Sequence, residues 1–318
     1  MQTRAYTTRA YAGTEDLAGM VAVINAVRDR DGLDDVRTVA EMAQQYEHLQ
    51  RCDPATDIVI VEEAGTIVGY SRTMWEDVSE GYRIYWLVVE AHPQHPGIEE
   101  DLYQWGEGRA RAVAATHAVA DKRLSAEADE SGARAALLRR RGYLVRSYDA
   151  TLVRSHLNEI PDRRLPEGVE TRGVDEAHLR QIWEAEVEAF RDHRGYTEQT
   201  ETDWEAWLDS PNWDPSLWQI AWTRDHVVGQ VRSFIDPVEN EKFGRLRGWT
   251  EDISTAREWR GRGVAGALIC SSLQLLAERG MTEAALGVDT ENPTGALRLY
   301  ESLGFVRTRL FGVYEKPL

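Results

Sequence analysis

The chain has 318 residues, of which 42% are hydrophobic and 29% charged, and its formal net charge is −17. This length suits two domains of about 150 residues each, and the composition is typical of a folded globular protein rather than a disordered one. The negative charge argues against nucleic acid and anionic membranes as partners, because both are bound by clustered Lys and Arg.

Cysteine and histidine usage excludes two further classes of protein. Cys52 and Cys270 are the only cysteines and lie far apart, which rules out a disulfide framework. The eight histidines show no metal-ligand spacing, so no metal is predicted. Without a membrane-length apolar stretch or a signal-like N-terminus, we expect a cytoplasmic monomer or homodimer.

The same order of elements occurs in both halves of the chain. Alternating residues and turn residues predict a hairpin over Asp57–Tyr70 and another over Leu217–Gln230. Each is followed by a strand, a glycine-containing loop, a long helix, a further strand, a short helix and a Gly-aromatic pair. The predicted third strands are Tyr82–Glu90 and Leu246–Thr255, and the Gly-aromatic pairs are Gly142-Tyr143 and Gly304-Phe305. Strands that alternate with helices predict an α/β architecture in each half.

A proline-containing, charged segment separates the two halves. It runs from Val153 to Gly168 and includes Pro161 and Pro166, as a linker would. The sequence therefore predicts two tandem domains, residues 1–155 and 168–318.

A glycine-rich turn precedes the long helix of the second half. Arg260-Gly261-Arg262-Gly263-Val264-Ala265 joins the predicted strand to an amphipathic helix that Gly280 ends. Free N–H groups at the positive end of a helix, with mobile arginines beside them, suit a bound phosphate. A purely structural strand-to-helix turn would explain this pattern equally well.

A second motif follows at Asn292 to Phe305. Asn292 is expected to cap a short helix that starts at Pro293 and ends at Gly304. Ala296, Tyr300 and Leu303 share one face of this helix, which would carry the Tyr300 hydroxyl toward a cleft.

Together, the Arg-x-x-Gly-x-Ala turn and the Asn-x-x-x-Ala-x-x-x-Tyr-x-x-Leu-Gly-Phe segment resemble the GNAT superfamily of N-acetyltransferases. The resemblance is specific over Trp249 to Arg307 and only architectural in the first half. A tandem pair with a degenerate first copy is similar to the mycothiol synthase family, whose members acetylate a cysteinyl pseudodisaccharide. The resemblance implies a mixed α/β fold in which each domain has a mostly antiparallel central sheet flanked by helices.

The resemblance also implies an acetyl-CoA site and a catalytic acid. The pyrophosphate would lie on the turn and the pantetheine on the preceding strand, with Tyr300 protonating the CoA thiolate. The residues expected to hold the co-substrate are Ser254, Thr255, Arg260, Gly261, Arg262, Gly263, Val264, Ala265, Gly266 and Asn292.

The general base departs from the family pattern. Relatives with a strand glutamate carry it eleven residues before the first residue of the turn, where this chain has Trp249. Glu251 shares that strand face and is our candidate, with Asp252 behind it and a water relay as the alternative. A solvated carboxylate at a strand end is the competing explanation for Glu251, and a buried core tyrosine is the one for Tyr300.

The first half lacks the chemical residues of this pattern. Its matching turn, Gln94 to Glu99, is followed by Glu100 and Asp101, and these acids would repel a pyrophosphate. Leu138 stands at the position of Tyr300, and Glu130 at that of Asn292. We therefore predict a structural first domain with little or no CoA binding.

Acceptor recognition is expected between the first helix and the hairpin of the second half. Asp192, His193, Trp204 and Trp218 are the candidate contacts, because aromatic walls with carboxylates suit a small-molecule amine. Core or interface packing is the competing explanation for the tryptophans.

Three hypotheses follow for the function. The first is an acetyl-CoA-dependent N-acetyltransferase that acts on the primary amine of a small molecule by direct attack in a ternary complex. The alternatives are a mycothiol synthase and a non-catalytic acyl-CoA-binding regulatory module.

Overall fold

The computed structural model describes residues 5–292 and 294–318. The first half forms, in chain order, β1 (Tyr6–Ala10), α1 (Leu17–Asp31), α2 (Val39–Glu47), α3 (Pro54–Asp57), β2 (Ile58–Glu63), β3 (Thr66–Asp77), β4 (Arg83–Ala91), α4 (Ile98–Ala114), β5 (Lys122–Asp129), α5 (Ala133–Arg140) and β6 (Leu144–Arg154). The second half forms β7 (Glu170–Arg172), α6 (Leu179–Phe190), α7 (Glu201–Leu208), β8 (Gln219–Thr223), β9 (His226–Phe234), α8 (Pro237–Phe243), β10 (Arg247–Thr255), α9 (Val264–Glu278), β11 (Glu283–Asp289), α10 (Ala296–Ser302) and β12 (Val306–Pro317).

The chain divides into two compact units that do not follow the sequence halves throughout. The first unit holds the described part of residues 1–146 together with 200–211 and 312–318, and the second holds 147–199 and 212–311. Most of β6 therefore belongs to the second unit, and the end of β12 to the first. The ranges 1–155 and 168–318 stay a prediction about the tandem sequence repeat.

Each unit has a mostly antiparallel sheet. In the first, β1 to β5 lie in chain order, with only β4 and β5 parallel, and the final residue of the chain donates a backbone hydrogen bond to Lys122 beside β5. In the second, the order runs β7-β8-β9-β10-β11-β6, with only the β10 and β11 pair parallel among these strands. The predicted mixed α/β class with two similar units is confirmed.

The long helix of the second unit supplies its core. Val264, Leu268 and Leu276 of α9 are fully buried against the sheet, where Val231 and Leu286 contribute. The spacing of these helix residues was the basis for predicting the helix, and Gly280 lies just beyond its end in the left-handed region, at φ 85°. The predicted end of α9 is thus correct.

The start of the short helix was predicted wrongly. α10 begins at Ala296 with Gly295 as its N-cap, so Asn292 does not cap it. Asn292 Oδ1 instead accepts hydrogen bonds from the Thr294 backbone N (2.9 Å) and hydroxyl (2.6 Å), which closes a local turn before the helix. Pro293, the predicted first helical residue, lies outside the described residues.

No helix in the described part of the chain is long and apolar enough to cross a membrane. Over the same residues, no group of three or more His, Cys, Asp and Glu side chains is arranged to hold a metal ion.

Candidate active site

A cavity of about 290 Å³ lies in the second unit where β10, α9 and α10 come together. The end of β10 forms one wall, the turn into α9 the second, and the turn before α10 the third. The residues that line it are Arg163, Ala189, Phe190, His193, Ile253, Ser254, Thr255, Trp259, Arg260, Gly261, Gly263, Val264, Ala265, Gly266, Asn292, Thr294, Gly295, Ala296, Leu299 and Tyr300. Both sequence motifs therefore meet at one cavity.

The turn before α9 has the backbone of a phosphate cradle. Gly261 (φ 71°) and Gly263 (φ 88°) adopt left-handed conformations, and Gly263 is the N-cap of the helix. The first turn of α9 contains no acidic residue. The positive end of the helix thus faces the cavity without a neighbouring carboxylate on its own first turn, as anion binding requires.

Nine of the ten residues predicted to hold the co-substrate line the cavity, and Arg262 is the exception. Its guanidinium lies over the Trp259 ring, 5.0 Å from the ring centroid. Thr255 adds a feature that the sequence did not reveal, because its hydroxyl oxygen is buried without a hydrogen-bond partner among the described residues. A cleft with such an unpaired group, an acid-free helix start and two left-handed glycines fits a long ligand that carries phosphates.

Arg260 is held in place by three acceptors. It donates to the Thr255 carbonyl (3.3 Å), the Ala189 carbonyl (2.8 Å) and Asp192 Oδ2 (2.8 Å). Asp192 also accepts two hydrogen bonds from Arg257, and the guanidinium groups of Arg257 and Arg260 lower its pKa. Asp192 does not line the cavity. Asp192, predicted to contact the acceptor, therefore ties the loop after α6 to Arg260 in the turn before α9.

A β-bulge interrupts β10 at the cavity. Glu251 pairs with Arg232 and Ser254 with Gln230 on β9, so Asp252 and Ile253 together face one residue. Asp252 takes a left-handed conformation, at φ 50°. A bulge leaves part of the ladder unpaired and re-aims the strand, and here it turns the end of β10 toward the cavity.

Tyr300 and Glu251 lie close enough for their charges to interact. Tyr300 lines the cavity with its side chain buried, and burial, followed by the negative charge of Glu251, raises its pKa. Glu251 accepts a hydrogen bond from the Gly287 backbone N (2.8 Å). Burial and the neighbouring Asp252 raise the pKa of Glu251 to about 8. The sequence-predicted acid and base are thus a protonated phenol and a carboxyl group that ionises near neutral pH.

A partly buried ion cluster behind the bulge was missed by the sequence analysis. Arg232 pairs with Glu186 of α6 (2.7 Å) and with Asp252 (2.9 Å), and its guanidinium lies over the Trp218 ring. Burial and the charge of Asp252 raise the pKa of Glu186 to about 8. The three charged residues come from different elements, so no local pattern in the sequence relates them.

The predicted acceptor residues fall in different places. His193 lines the cavity, stacks edge-on against Phe190 and has its pKa lowered by burial. Trp218 is buried against Trp213 and does not line the cavity. Trp204 belongs to the first unit, where it stacks on Trp207. Roles in acceptor binding stay predictions for all of them.

Comparison with known proteins identifies the family. Residues 179–305 match the acetyltransferase (GNAT) family. These residues of the second half belong to the GNAT acetyltransferase family. The catalytic class follows from this match, because GNAT acetyltransferases use acetyl-CoA as their co-substrate. The prediction of an acetyl-CoA-dependent N-acetyltransferase is confirmed, and the non-catalytic alternative is not supported.

Two relatives align with almost the whole chain. The acetyltransferase is 28% identical to mycothiol acetyltransferase from Geodermatophilus obscurus over 300 residues, which is 92% of each chain. It is 29% identical to mycothiol acetyltransferase from Salinispora arenicola over 306 residues, 95% of this chain and 93% of the relative.

Solved structures have the same fold over almost the whole chain. A GCN5-related N-acetyltransferase from Sphaerobacter thermophilus gives a TM-score of 0.71 at 25% identity, covering 98% of this chain and 95% of that one. A tandem GNAT protein from the clavulanic acid biosynthesis pathway gives 0.66 at 14% identity, covering 99% and 98%. The resemblance inferred from two motifs thus extends to the fold of both units.

Proposed function

We propose that the acetyltransferase acts on the primary amine of a small molecule by direct attack, with Glu251 as the general base and Tyr300 as the general acid. The observation that carries this proposal is the proximity of a carboxyl group with a raised pKa to a tyrosine that stays protonated. A carboxyl group with a pKa of about 8 lies close enough to interact with a tyrosine that burial keeps protonated. Tyr300 lines the cavity, whereas Glu251 lies beside it and is not among the lining residues.

The acceptor amine has to be neutral when it attacks. An alkylammonium comparable to the Lys side chain has a pKa of about 10.4, so it is protonated at neutral pH. A carboxylate of ordinary pKa is a weak base for this proton. The raised pKa of Glu251 makes it a stronger base while leaving it partly ionised near pH 8, where general-base catalysis is most efficient.

The ammonium form of the acceptor loses two protons in the reaction. Glu251 accepts the first, which leaves the neutral amine, and releases it to solvent. The amine attacks the thioester carbonyl of acetyl-CoA, the N–C bond forms as the C–S bond breaks, and the Tyr300 hydroxyl donates its proton to the departing sulfur. The nitrogen then loses its second proton to solvent, from which the Tyr300 oxygen is reprotonated. A backbone N–H at the β10 bulge would stabilise the negative charge on the carbonyl oxygen.

Three walls of the cavity would hold different parts of the co-substrate. The N–H groups at the start of α9, with Arg260, suit the pyrophosphate. Ser254 and Thr255 lie on the β10 side, where the unpaired Thr255 hydroxyl is available to a pantetheine amide. Asn292 lies on the α10 side.

A second candidate is a mycothiol acetyltransferase. The observation that favours it is alignment over more than nine-tenths of both chains with two proteins of that name. The family chemistry is the same, so the two candidates differ only in the acceptor.

A thiol-release assay separates the candidates. The full chain is mixed with acetyl-CoA and a panel of small primary amines that includes the amine precursor of mycothiol, and free CoA thiol is measured. Turnover with at least one amine supports the proposal, and strong selectivity for the mycothiol precursor favours the second candidate. Binding of acetyl-CoA with no turnover on any amine would contradict both.

A further inference from the structure

The segment between the sequence repeats contributes one side chain to the cavity. Arg163 lies in the segment from Val153 to Gly168, for which the sequence predicts only a linker. It nevertheless lines the same cavity as the turn before α9. Arg163 is distant in sequence from the other residues that line the cavity, so neither sequence motif includes it.

Close approach to Gly266 fixes where the guanidinium lies. A Cβ atom built on Gly266 would be 2.7 Å from Arg163 Nη1, so the absence of a side chain there is what allows the contact. Gly266 is the third residue of α9, within the turn whose N–H groups have no intrahelical partner. The guanidinium therefore sits beside the positive end of the helix.

Arg163 is positioned but not neutralised. Its Nη2 donates to the Ser302 hydroxyl (3.3 Å), and that hydroxyl is itself anchored to the Leu299 carbonyl. In the described part of the chain, no carboxylate lies within ion-pair distance of Arg163, whereas Arg257 and Arg260 both share Asp192. Burial raises the pKa of Cys270, one helical turn beyond Gly266, and the positive charge of Arg163 opposes this rise.

We propose that Arg163 binds the pyrophosphate of acetyl-CoA, as a linker residue that completes the phosphate site of the second unit. A cation held beside a helix N-terminus is electrostatically unfavourable unless an anion lies between them. The pyrophosphate is the anion that this site is expected to receive, and this proposal rests on the proposed function. Its location at the first turn of α9 assigns the contact to the pyrophosphate rather than to the ribose 3′-phosphate.

Binding measurements on the full chain test this assignment. Arg163→Gln is compared with wild type and with Arg164→Gln, a control of the same type at the next, exposed position with no contact to the cavity. The ligands are acetyl-CoA, its 3′-dephospho form, and S-acetylpantetheine. The last of these lacks both the pyrophosphate and the 3′-phosphate.

Arg163→Gln should weaken acetyl-CoA and the dephospho form equally, by about tenfold, the size expected for one charged hydrogen bond. S-acetylpantetheine should bind wild type and all variants with equal affinity. Arg163→Lys should recover part of the lost acetyl-CoA affinity, and Arg164→Gln should bind acetyl-CoA as tightly as wild type does. A merely structural role for Arg163 would weaken all three ligands together.

Three outcomes would overturn the proposal: equal behaviour of the two glutamine variants, a loss restricted to ligands with a 3′-phosphate, or a loss that extends to S-acetylpantetheine. The readout is binding, so it is independent of the acceptor. If wild type binds acetyl-CoA but acetylates no amine, the proposed function is contradicted. The role of Arg163 is still tested in that case, because it is judged from binding affinities alone.

Discussion

The two units have the same fold but differ at three matched positions of the cleft. In the second unit, Ser254, Ala265 and Ala296 line the cavity. The residues at these positions in the first unit are larger and charged: Glu90, Glu99 and Arg134. Arg134 bonds Glu90 (2.9 Å) and Glu99 (3.0 Å), so a salt-bridge triad occupies the place that small residues leave open in the second unit.

The backbone differs at the same place. β10 carries a bulge between Glu251 and Ser254, whereas the pairing of β3 with β4 runs without a shift from Gly69 and Ala91 to Asp77 and Arg83. Val88 and Leu138 occupy the positions of Glu251 and Tyr300. The first turn of α4 adds three acidic residues, where α9 has none.

These differences show how a fold can lose a ligand site while its core persists. Packing of helix against sheet depends on the buried apolar residues, and both units retain it. The site depends instead on a bulge, a few small side chains and the charge of one helix turn. We therefore expect one acyl-CoA site per chain, and the following variants test the contrast between the units.

The largest effect is expected from Tyr300→Phe, which gives the second unit the hydroxyl-free character of Leu138. Loss of the general acid should lower kcat by roughly 10²–10⁴-fold with little change in acetyl-CoA affinity. Steady-state kinetics and calorimetry measure the two quantities. Tyr143→Phe, at a buried tyrosine of the first unit, is the matched control and should leave kcat unchanged. Normal turnover in Tyr300→Phe would make Tyr300 a core residue only.

Grafting the triad into the second unit should close its cavity. The combined variant Ser254→Glu, Ala265→Glu and Ala296→Arg should weaken acetyl-CoA binding on the order of 100-fold, because it fills the cleft and places negative charge at the helix start. Calorimetry measures the affinity, and a thermal melt establishes that the variant folds. Ala265→Ser, which adds a polar atom without charge, is the control. Wild-type affinity in a folded triple variant would show that the triad is not what separates the two units.

A smaller effect is expected on the pH dependence of catalysis. If Glu251 is the base, kcat/KM rises as the pH increases through about 8, since only the ionised form accepts the amine proton. Glu251→Gln should lower kcat/KM about 100-fold at pH 8 and remove this limb of the profile. An unchanged profile in the variant would favour a water relay that ends on another group.

The same substitution should affect stability with a defined sign. Folding raises the pKa of Glu251 from 4.5 to about 8, so the folded state retains a proton that the unfolded state releases between these values. Stability relative to Glu251→Gln therefore falls as the pH rises from about 4.5 to about 8. The glutamine variant should melt at a higher temperature than wild type at pH 8, with the difference disappearing near pH 4.

Local sequence patterns predicted the parts of the site that lie within one element. The turn at Arg260 to Gly263, the helix α9 and the placement of Tyr300 follow from spacing and glycine positions alone. Spacing did not predict the first residue of α10, because Asn292 bonds Thr294 in a turn that precedes the helix instead of capping it.

Local sequence patterns do not predict contacts between segments that are distant in the chain. Asp192 with Arg260, Arg163 with Gly266, and the Glu186 and Arg232 pair each join elements that are far apart in sequence. The assignment of most of β6 to the second unit depends on its pairing with β11, which periodicity does not specify.

The number of acetyl-CoA molecules bound per chain tests the central claim most directly. Titration calorimetry of the full chain should give one site, whose affinity the grafted triad in the second unit lowers on the order of 100-fold. Two sites in wild type, or one site that survives the graft with unchanged affinity, would contradict the account.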